Sequence, residues 1–227
     1  MPGPLSHIRV VEMAVAIQGP AAALYLRDMG ADVIKIETPI GDVNRYHRGA
    51  NNELPAQALG SQFVAMNRGK KSVCLDIHTT LGLKAVHRLI SEADVFLSNF
   101  REAALVKMGL DYAEVHKLNP QLIYGQVNGF GPLGPDAGKS MLDGAAIARG
   151  GLASMTSPRE GSPMAPGATI ADTAGAMQLA LAIVTALVAR ARDGIGQKVH
   201  TSALGGQLWL QMWELTHVWM TGSLLKR

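Results

Sequence analysis

Cysteine is almost absent from this 227-residue chain, which contains only Cys74. A single cysteine can form neither an internal disulfide nor a cysteine-based metal cluster. Cys74 lies in a β-prone stretch over 72–75, so we interpret it as a small core residue of a strand. The seven histidines are scattered, with no HExxH pair, and there is no GxSxG sequence. The sequence therefore predicts no metal site and no serine-hydrolase site.

Aromatic residues and runs of one charge are also scarce. Phe, Trp and Tyr make up 5% of the sequence, so aliphatic side chains must supply the core. The content of hydrophobic residues (48%) and charged residues (17%) is typical of a globular protein. The net charge is +3, without any block of five or six like charges. This pattern argues against nucleic-acid binding and suits a small anionic ligand.

The sequence shows no N-terminal basic-then-apolar signal and no long membrane-spanning run. Its most apolar stretch, over 174–188, is shorter than the roughly 18 residues that a membrane span needs. We therefore expect a soluble, cytoplasmic protein that contacts no membrane.

Strand-like and helix-like segments alternate through the first 128 residues. This alternation predicts right-handed βαβ units and an α/β fold with a Rossmann-like, mainly parallel sheet flanked by helices. The predicted strands cover 8–13, 32–37, 71–76, 94–99 and 122–127, and the predicted helices cover 21–29, 80–92, 103–108 and 112–118.

The pattern changes after Gly129, where loops rich in glycine, proline and serine appear. An alanine-rich segment over 142–148 lies between these loops. A long helix over 172–192, a strand over 198–202 and a final helix over 204–224 with three tryptophans are predicted after them. No linker separates two independent domains, so we expect one domain over 1–200 and a helix over 201–227 that leads away from it.

Two nucleotide-binding motifs are matched only superficially. The segment 129–134 fits GxGxxG, but Pro132 and Pro135 occupy the loop and no helix opens at Gly134. The helix N-terminus that would bind a pyrophosphate is therefore missing, and a nicotinamide dehydrogenase is disfavoured. The segment 134–140 resembles a Walker A loop, but its spacing is one residue short.

Three loops that follow or precede predicted strands could bind an anionic ligand. In an open α/β sheet, ligands bind beyond the carboxyl ends of the strands. The segment 16–20 is either a phosphate-binding helix start or an ordinary tight turn. The cations over 67–72 either neutralise phosphates or blunt a strand edge. In 99–101, Phe100 could stack on a base and Arg101 could bind a phosphate, or Phe100 could belong to the core.

Asp172 is the one acidic residue at the start of the long apolar helix. A carboxylate there gains from the helix dipole and could be only a cap. However, its neighbours from Thr173 to Ala176 are small and would let a substrate approach closely. A carboxylate in a dry pocket can also act as a nucleophile and form an acyl-enzyme. Both interpretations fit the residues alone.

The order of these segments resembles the family III CoA-transferases of the CaiB/BaiF type. This family includes formyl-CoA transferase, carnitine CoA-transferase and the α-methylacyl-CoA racemases. The resemblance runs from Leu5 to about Gly205 and rests on the motifs at 8–12, 30–37, 67–72, 93–101, 109–110, 119–124, 129–132 and 194–199.

The resemblance implies the large, CoA-binding domain of such an enzyme, with Asp172 as its nucleophile. The carboxylate would attack an acyl-CoA thioester and pass CoA to a carboxylic acid through covalent aspartyl intermediates. Coenzyme A would be a substrate, with no metal involved. Its binding residues would be Gln18, Lys70, Lys71, Asn99, Phe100, Arg101, Lys107, Met108 and, where the match shifts by one residue, Lys139.

The chain departs from the family pattern at three points. The residue before the nucleophile is Ala171, where the family often has glycine. Leu142 stands where the racemase branch has a proton-shuttling histidine, which favours a transferase over a racemase. Family members are nearly twice as long, so we expect a homodimer or a complex with a companion second-half subunit. A CoA-binding chain without activity of its own is the alternative.

Overall fold

A single six-stranded sheet forms the centre of the protein. The computed structural model describes residues 2–49, 51–158 and 160–225, which contain this sheet, ten α-helices and one short 3-10 turn, Val43–Arg45. The strands are β1 Arg9–Met13, β2 Asp32–Glu37, β3 Lys71–Cys74, β4 Val95–Ser98, β5 Ile123–Asn128 and β6 Lys198–Ser202. The helices are α1 Gln18–Asp28, α2 Ser61–Asn67, α3 Thr80–Ser91, α4 Glu102–Lys107, α5 Tyr112–Leu118, α6 Asp143–Arg149, α7 Leu152–Thr156, α8 Ile170–Asp193, α9 Ala203–Leu210 and α10 Met212–Thr221.

The strand order is β3-β2-β1-β4-β5-β6, and every neighbouring pair is parallel. This order and the helices around the sheet confirm the predicted Rossmann-like α/β fold. From β1 the chain adds β2 and β3 on one side of the sheet, and it then adds β4, β5 and β6 on the other side. The strand order therefore reverses between the neighbours β1 and β4. In such folds the crevice at this point, beyond the carboxyl ends of the strands, is the usual ligand site.

Alternate side chains of the central strands enter two separate cores. Val10 of β1 belongs to the core beneath α1 and α8, whereas its neighbour Val11 belongs to the core beneath α3 and α5. Both valines are fully buried. The sheet is therefore covered on both faces, which explains why the residues of its central strands are buried in succession rather than alternately buried and exposed.

Helix α8 packs along the sheet and accounts for the longest apolar stretch of the sequence. By length and composition alone, its 24 residues could cross a membrane. In the structure, nine of them are buried, including Leu179 and Ile183, which belong to the core shared with α1 and the sheet. Burial therefore explains the apolar residues on the side that faces the sheet, whereas Met177, Leu181 and Val188 on the other side are exposed. The helix ends where predicted, at Gly194 in the left-handed region (φ 74°).

The second turn of α8 lies unusually close to α9. A Cβ atom on Gly206 would overlap the backbone of Ala174 and Gly175, and one on Gly175 would lie 3.1 Å from the backbone of Ser202 and Ala203. Only glycine lets two helix backbones approach to this distance. This contact fixes the end of α8 that carries Asp172.

The predicted helix over 204–224 is wrong in one respect, because it is broken at Gln211. The backbone N–H of Gln211 donates to Leu208 O, a 3-10 spacing, and its side-chain Nε2 donates to Gln207 O at 3.2 Å. The side chain thus takes the Gln207 carbonyl that the backbone N–H of Gln211 itself would use in a continuous α-helix, and two helices, α9 and α10, result. Two short helices were not predicted: α7 lies in a segment predicted as a loop, and α2 lies in a segment to which no element was assigned.

The interpretation of Cys74 as a core residue is also wrong, since this cysteine is exposed. Strand β3 pairs only with β2 at one edge of the sheet, and Lys71, Ser72 and Cys74 are all exposed along it. Packing continues across residue 200, because Thr201 and Ser202 complete β6 and α9 packs on α8. The division of the chain at that point stays a prediction.

Candidate active site

A cleft of about 260 Å³ opens beyond the carboxyl ends of β1, β4 and β5. This is the crevice that the strand order predicts. Five of the predicted site residues line it together: Gln18, Asn99, Arg101, Lys139 and Asp172. The other lining residues are Ala16, Ile17, Asn128, Gly129, Ser140, Met141 and Leu142.

Asp172 is the third residue of α8 and does not cap it. The N-cap is Thr169, without a side-chain cap, and the backbone N–H of Asp172 donates to Oδ1 of Asp143 at 2.9 Å. Instead, Oδ1 of Asp172 accepts a 2.7 Å hydrogen bond from Nε2 of Gln18. Within the described part of the chain, Oδ2 accepts no hydrogen bond. The capping interpretation therefore does not explain where this carboxylate points.

The surroundings of Asp172 favour its protonated form more than water does. Burial raises the pKa of Asp172 to about 6, the hydrogen bond from Gln18 opposes this rise, and the nearby charge of Asp143 adds to it. Above that pH the group is an anion that is more basic than an ordinary aspartate. A carboxylate with these properties is a stronger nucleophile than an exposed one.

Helix α1 begins at Gln18, three residues earlier than predicted. This start places the side chain of Gln18 where it reaches Asp172. Gln18 is the first helical residue and Pro20 the third. Proline is tolerated in a first helical turn, since its missing N–H would have no helical partner there. The side chain of Gln18 is therefore fixed to a helix end and is buried. It is held beside the cleft by two rigid elements, α1 and α8.

Asn99 holds the loop between β1 and α1. Its Oδ1 accepts from the backbone N–H of Val15 at 3.1 Å, and its Nδ2 donates to the carbonyl of Val15 at 2.7 Å. The next residue, Ala16, has a φ of 64°, an uncommon conformation for a residue other than glycine. The paired hydrogen bonds of Asn99 thus stabilise a strained turn that forms one wall of the cleft.

Two cations lie on the rim of the cleft. Arg101 precedes α4, is exposed and donates from Nη2 to Oγ of Ser140. Nζ of Lys139 lies 2.6 Å from Oδ1 of Asp136, and the lysine side chain is 66% exposed. Both cations can reorient toward a ligand because solvent surrounds them. Their position beside the cleft suits the phosphates of a nucleotide-like ligand.

The structure does not bring Lys70 and Lys71 to this cleft. The side chain of Lys70 is only 2% exposed, and its Nζ lies 2.7 Å from Oε2 of Glu12. Lys71 lies on the edge strand, with Nζ 2.7 Å from Oδ1 of Asp32, the first residue of β2. The sequence showed two adjacent cations, but one is an internal ion-pair partner and the other blunts the sheet edge.

Phe100, Lys107 and Met108 are not among the residues that line the cleft. Phe100 borders a separate small cavity of about 20 Å³ at the ends of β1 and β2, and it packs against the core beneath α3. Met108 packs against the same core, whereas Lys107 is exposed at the end of α4. Phe100 therefore belongs to the edge of the core, as one interpretation predicted, and its stacking on a base stays a prediction.

Glu37, at the end of β2, is engaged by protein groups. Dinucleotide-binding folds use an acid at such a position to bind the ribose. Here Arg45 donates two hydrogen bonds to Glu37, at 2.6 and 2.7 Å, and Ser72 donates a third. Burial alone would raise the pKa of Glu37, but these bonds and one from the Asp42 backbone bring it to about 2. No helix follows the 129–134 loop directly, so neither part of a nicotinamide site is formed.

Asp143 is the site residue that the sequence did not reveal as a partner of Asp172. It begins α6, 29 residues before Asp172, and no local spacing links the two. Within the described ranges, no group of three or more His, Cys, Asp or Glu side chains is placed to hold a metal ion. The cleft thus offers one carboxylate, amide donors and cations.

The sequence model of the family described as "CoA-transferase family III" matches residues 5–227, nearly the whole chain. The chain is 39% identical over 207 residues to the succinate–glutarate CoA-transferase of Agrobacterium fabrum, covering 90% of this chain and 52% of that protein. It is 35% identical over 205 residues to the formyl-CoA:oxalate CoA-transferase of Bradyrhizobium diazoefficiens, covering 90% and 47%. The chain thus spans about half the length of the curated relatives it matches.

A solved structure shows the same fold. The crystal structure of a CaiB/BaiF family protein from Brucella suis matches all of this chain and 60% of its own, with a TM-score of 0.93 and 35% identity. The sequence and the fold lead to one conclusion: this chain belongs to CoA-transferase family III.

Proposed function

We propose that this chain supplies the catalytic, CoA-binding part of an acyl-CoA:carboxylate CoA-transferase, with Asp172 as the nucleophile. The observation that carries the proposal is the setting of Asp172. Its carboxylate is partly buried, one oxygen is held by Gln18, and the cleft around it has cations on its rim. This arrangement combines a nucleophile with a place for an anionic cosubstrate.

The first half of the reaction would load CoA onto the enzyme. Oδ2 of Asp172 attacks the thioester carbonyl and forms a new C–O bond, the C–S bond breaks, and CoA leaves as a thiolate. The acyl group and Asp172 are then joined as a mixed anhydride. The thiolate then attacks the aspartyl carbonyl carbon of the anhydride. The donor acid leaves as a carboxylate, and an aspartyl-CoA thioester remains.

The second half reverses these steps with another acid. The incoming carboxylate attacks the aspartyl thioester, forming a second anhydride and releasing the thiolate again. Attack of the thiolate on the new acyl carbon yields the product thioester and frees Asp172. No proton has to be transferred, which agrees with a cleft built around one carboxylate rather than an acid–base pair.

Coenzyme A would bind along the rim of the cleft. Arg101 and Lys139 would meet its phosphates, and Asn99 and Gln18 would lie beneath the pantetheine end. Phe100, which borders the small neighbouring cavity, would contact the base, with Lys107 and Met108 further along α4. Lys70 and Lys71 are left out of this site because their ammonium groups are engaged elsewhere.

Relatives suggest which acids to test. The mouse relative is named a succinyl-CoA:glutarate CoA-transferase, and the Bradyrhizobium diazoefficiens relative is named a formyl-CoA:oxalate CoA-transferase. Dicarboxylic acids and their thioesters are therefore the first substrates to offer this chain.

The racemase alternative is less well supported by the cleft. Among the residues that the structure describes, no histidine lines it, and Leu142 occupies the position of the racemase base. A racemase would exchange the α-proton of 2-methylacyl-CoA in deuterated water without an acceptor acid. We expect no such exchange.

A second candidate is a CoA-binding chain that needs a companion for turnover. The observation that favours it is the exposed apolar surface of α9 and α10, where Trp209, Trp213 and Trp219 are 63%, 71% and 78% exposed. A hollow of about 650 Å³ lies beside it, between α7 and α10. Surfaces of this kind mark protein contacts. A second copy of the chain or a companion subunit would cover it.

Covalent trapping tests the proposal directly. The protein is incubated with succinyl-CoA or formyl-CoA, treated with hydroxylamine, and digested for mass spectrometry. We expect a hydroxamate on the peptide that contains Asp172. Asp172→Asn should abolish it, whereas Asp193→Asn, at the exposed end of the same helix, should retain it.

The outcomes separate the two candidates. An adduct together with turnover supports an enzyme that is complete in this chain. An adduct without turnover, with activity restored by the C-terminal half of a relative, supports the companion model. Absence of any adduct across a broad panel of acyl-CoA thioesters would contradict the nucleophile assigned to Asp172.

A further inference from the structure

Four charged side chains form a buried cluster beneath the β1–α1 loop. Nζ of Lys35 lies 2.9 Å from Oε1 of Glu12 and 3.0 Å from Oδ2 of Asp42, and Nζ of Lys70 lies 2.7 Å from Oε2 of Glu12. Each of these side chains is at most 2% exposed. The formal charges cancel. None of the four lines the cleft, so the proposed chemistry does not use them.

The two lysines also hold the main chain on both sides of Gln18. Nζ of Lys35 donates to the carbonyl of Ala14 at 2.7 Å. Nζ of Lys70 donates to the carbonyl of Pro20 at 2.8 Å. These carbonyls lie four residues before and two residues after Gln18. The segment that carries Gln18 is therefore tied to the cluster at both ends.

Asn44 ties the middle of the same segment. Its Nδ2 donates to the carbonyl of Ala16 at 3.0 Å, and its backbone N–H donates to Oδ1 of Asp42 at 2.9 Å. Ala16 is the residue with a φ of 64°, so its conformation needs support from its surroundings. Asn44 is buried and connects this strained residue to the charge cluster.

Stability alone is a weak explanation for such a cluster. Removing charges from water is costly, and apolar replacements of buried ion pairs are often as stable. The cluster also fixes the position of the main chain, because each ammonium group holds one backbone carbonyl in a defined place. All three bound carbonyls belong to residues 14–20, the segment that aims Gln18 at Asp172.

We propose that the cluster of Glu12, Lys35, Asp42 and Lys70, extended by Asn44, is a positioning device that holds Gln18 against Asp172. In this proposal Lys70 positions the segment that carries Gln18 and does not bind a phosphate. This inference rests on the proposed role of Asp172, but its test does not need turnover.

The test measures the pKa of Asp172 by carboxyl ¹³C NMR, with its signal assigned by comparison with Asp172→Asn. Gln18→Ala removes the hydrogen bond that favours the anion, so it should raise this pKa. Asn44→Ala should raise it in the same direction, by about 0.5, because the released loop leaves the bond unmade part of the time. Lys70→Met should do likewise.

The double variant of Gln18 and Asn44 shows whether Asn44 affects the pKa of Asp172 through Gln18. In the Gln18→Ala background, Asn44→Ala should add no further rise, since the bond through which it acts is already gone. Asn119→Ala is the matched control. It removes another amide that binds a carbonyl, that of Ala93 at 2.9 Å. This contact lies before the amino ends of β4 and β5, at the opposite edge of the sheet from the cleft, so the pKa should be unchanged.

Two results would overturn the positioning role. One is a folded Asn44→Ala protein in which the pKa of Asp172 is the parental one. The other is a rise that persists in full without Gln18. If Lys70→Met does not fold, the comparison of Gln18→Ala, Asn44→Ala and the double variant decides whether the positioning role holds. If no aspartyl adduct forms but the coupling is found, the proposed reaction fails while the positioning role stands.

Discussion

The side-chain amide of Gln18 donates to the carboxylate of Asp172 over 2.7 Å, although 154 residues separate them in the chain. Gln18 is the first residue of α1, and Asp172 lies in the first turn of α8. Two helix N-termini therefore converge on one carboxylate. Their dipoles favour negative charge at this point and partly offset the cost of burying it.

The rate of adduct formation should depend on pH through Asp172. Because burial raises the pKa of this group to about 6, only a fraction is anionic in mildly acidic solution. We expect the single-turnover rate to rise about tenfold per pH unit below that value and to level off above it. Rapid-quench measurements with succinyl-CoA between pH 4.5 and 8.5 check this. A flat profile would show that another step limits the rate.

Replacing Asp172 by asparagine should stabilise the protein at neutral pH. The raised pKa means that the folded state binds the proton more tightly, so stability falls as pH rises from about 4 to about 6. At pH 8 we expect a gain of about 2 kcal/mol, after allowing for the partial exposure of the group. Urea unfolding at pH 8 and at pH 4 measures it, and the gain should be much smaller at the lower pH.

The exposed acid at the other end of α8 serves as the control for that measurement. The hydrogen bond from Arg192 lowers the pKa of Asp193, so Asp193→Asn should bring no gain at pH 8. An equal gain in both variants would mean that burial of Asp172 at the cleft is not the cause.

Gly206→Ala should destabilise the protein and disturb the cleft together. The added methyl group would overlap the backbone of Ala174 and Gly175, next to Asp172, and backbone cannot move aside as a flexible side chain can. We expect a loss of about 1–3 kcal/mol in urea unfolding and slower adduct formation in the folded fraction. Gly144→Ala is the matched control.

The control differs only in its surroundings. Gly144 lies in α6, and a Cβ there would meet nothing within 4 Å. Alanine should therefore be neutral or stabilising by up to about 1 kcal/mol, because it favours the helix more than glycine does. Equal losses in the two variants would contradict the close packing of α8 on α9.

Arg101→Ala and Lys139→Ala should each weaken CoA binding. Both cations lie on the rim of the cleft, where they would pair with phosphates. We expect the Kd for free CoA to rise about tenfold for each variant, which corresponds to about 1.4 kcal/mol. Isothermal titration calorimetry at two salt concentrations measures this, and the variants should show a weaker dependence on salt.

Lys71→Ala provides the comparison, since it removes a cation of similar exposure that pairs with Asp32 on the edge strand. Its Kd for CoA should equal that of the parent. A loss as large as that of Lys139→Ala would show that the phosphates bind along the sheet edge rather than at the rim.

The sequence predicted the sheet well because its signals are local. Segments rich in β-branched residues, such as 32–37 with Val33, Ile34 and Ile36 after Gly30, are predicted as strands whatever their neighbours are. The same holds for Gly194, which ends α8 in the left-handed conformation that glycine favours. These features depend on a few adjacent residues, so they can be identified without knowing the fold.

The site was predictable only in part because its contacts join distant segments. Lys70 and Lys71 look alike in sequence, yet one is buried against Glu12 and the other is exposed. Which of the two is buried depends on the register of β3 and on the β1–α1 loop above it. The contact of Asp143 with Asp172 and the helix break at Gln211 depend likewise on packing that no local pattern encodes.

The exposed thiol of Cys74 gives experimenters a unique attachment point. The sequence contains one cysteine, and it lies on the edge strand outside the residues that line the cleft. A maleimide fluorophore would therefore attach at a single known position without mutagenesis. Fluorescence anisotropy of the labelled protein would then follow the docking of a second copy or a companion chain, while the nucleophile and the rim of the cleft stay unmodified.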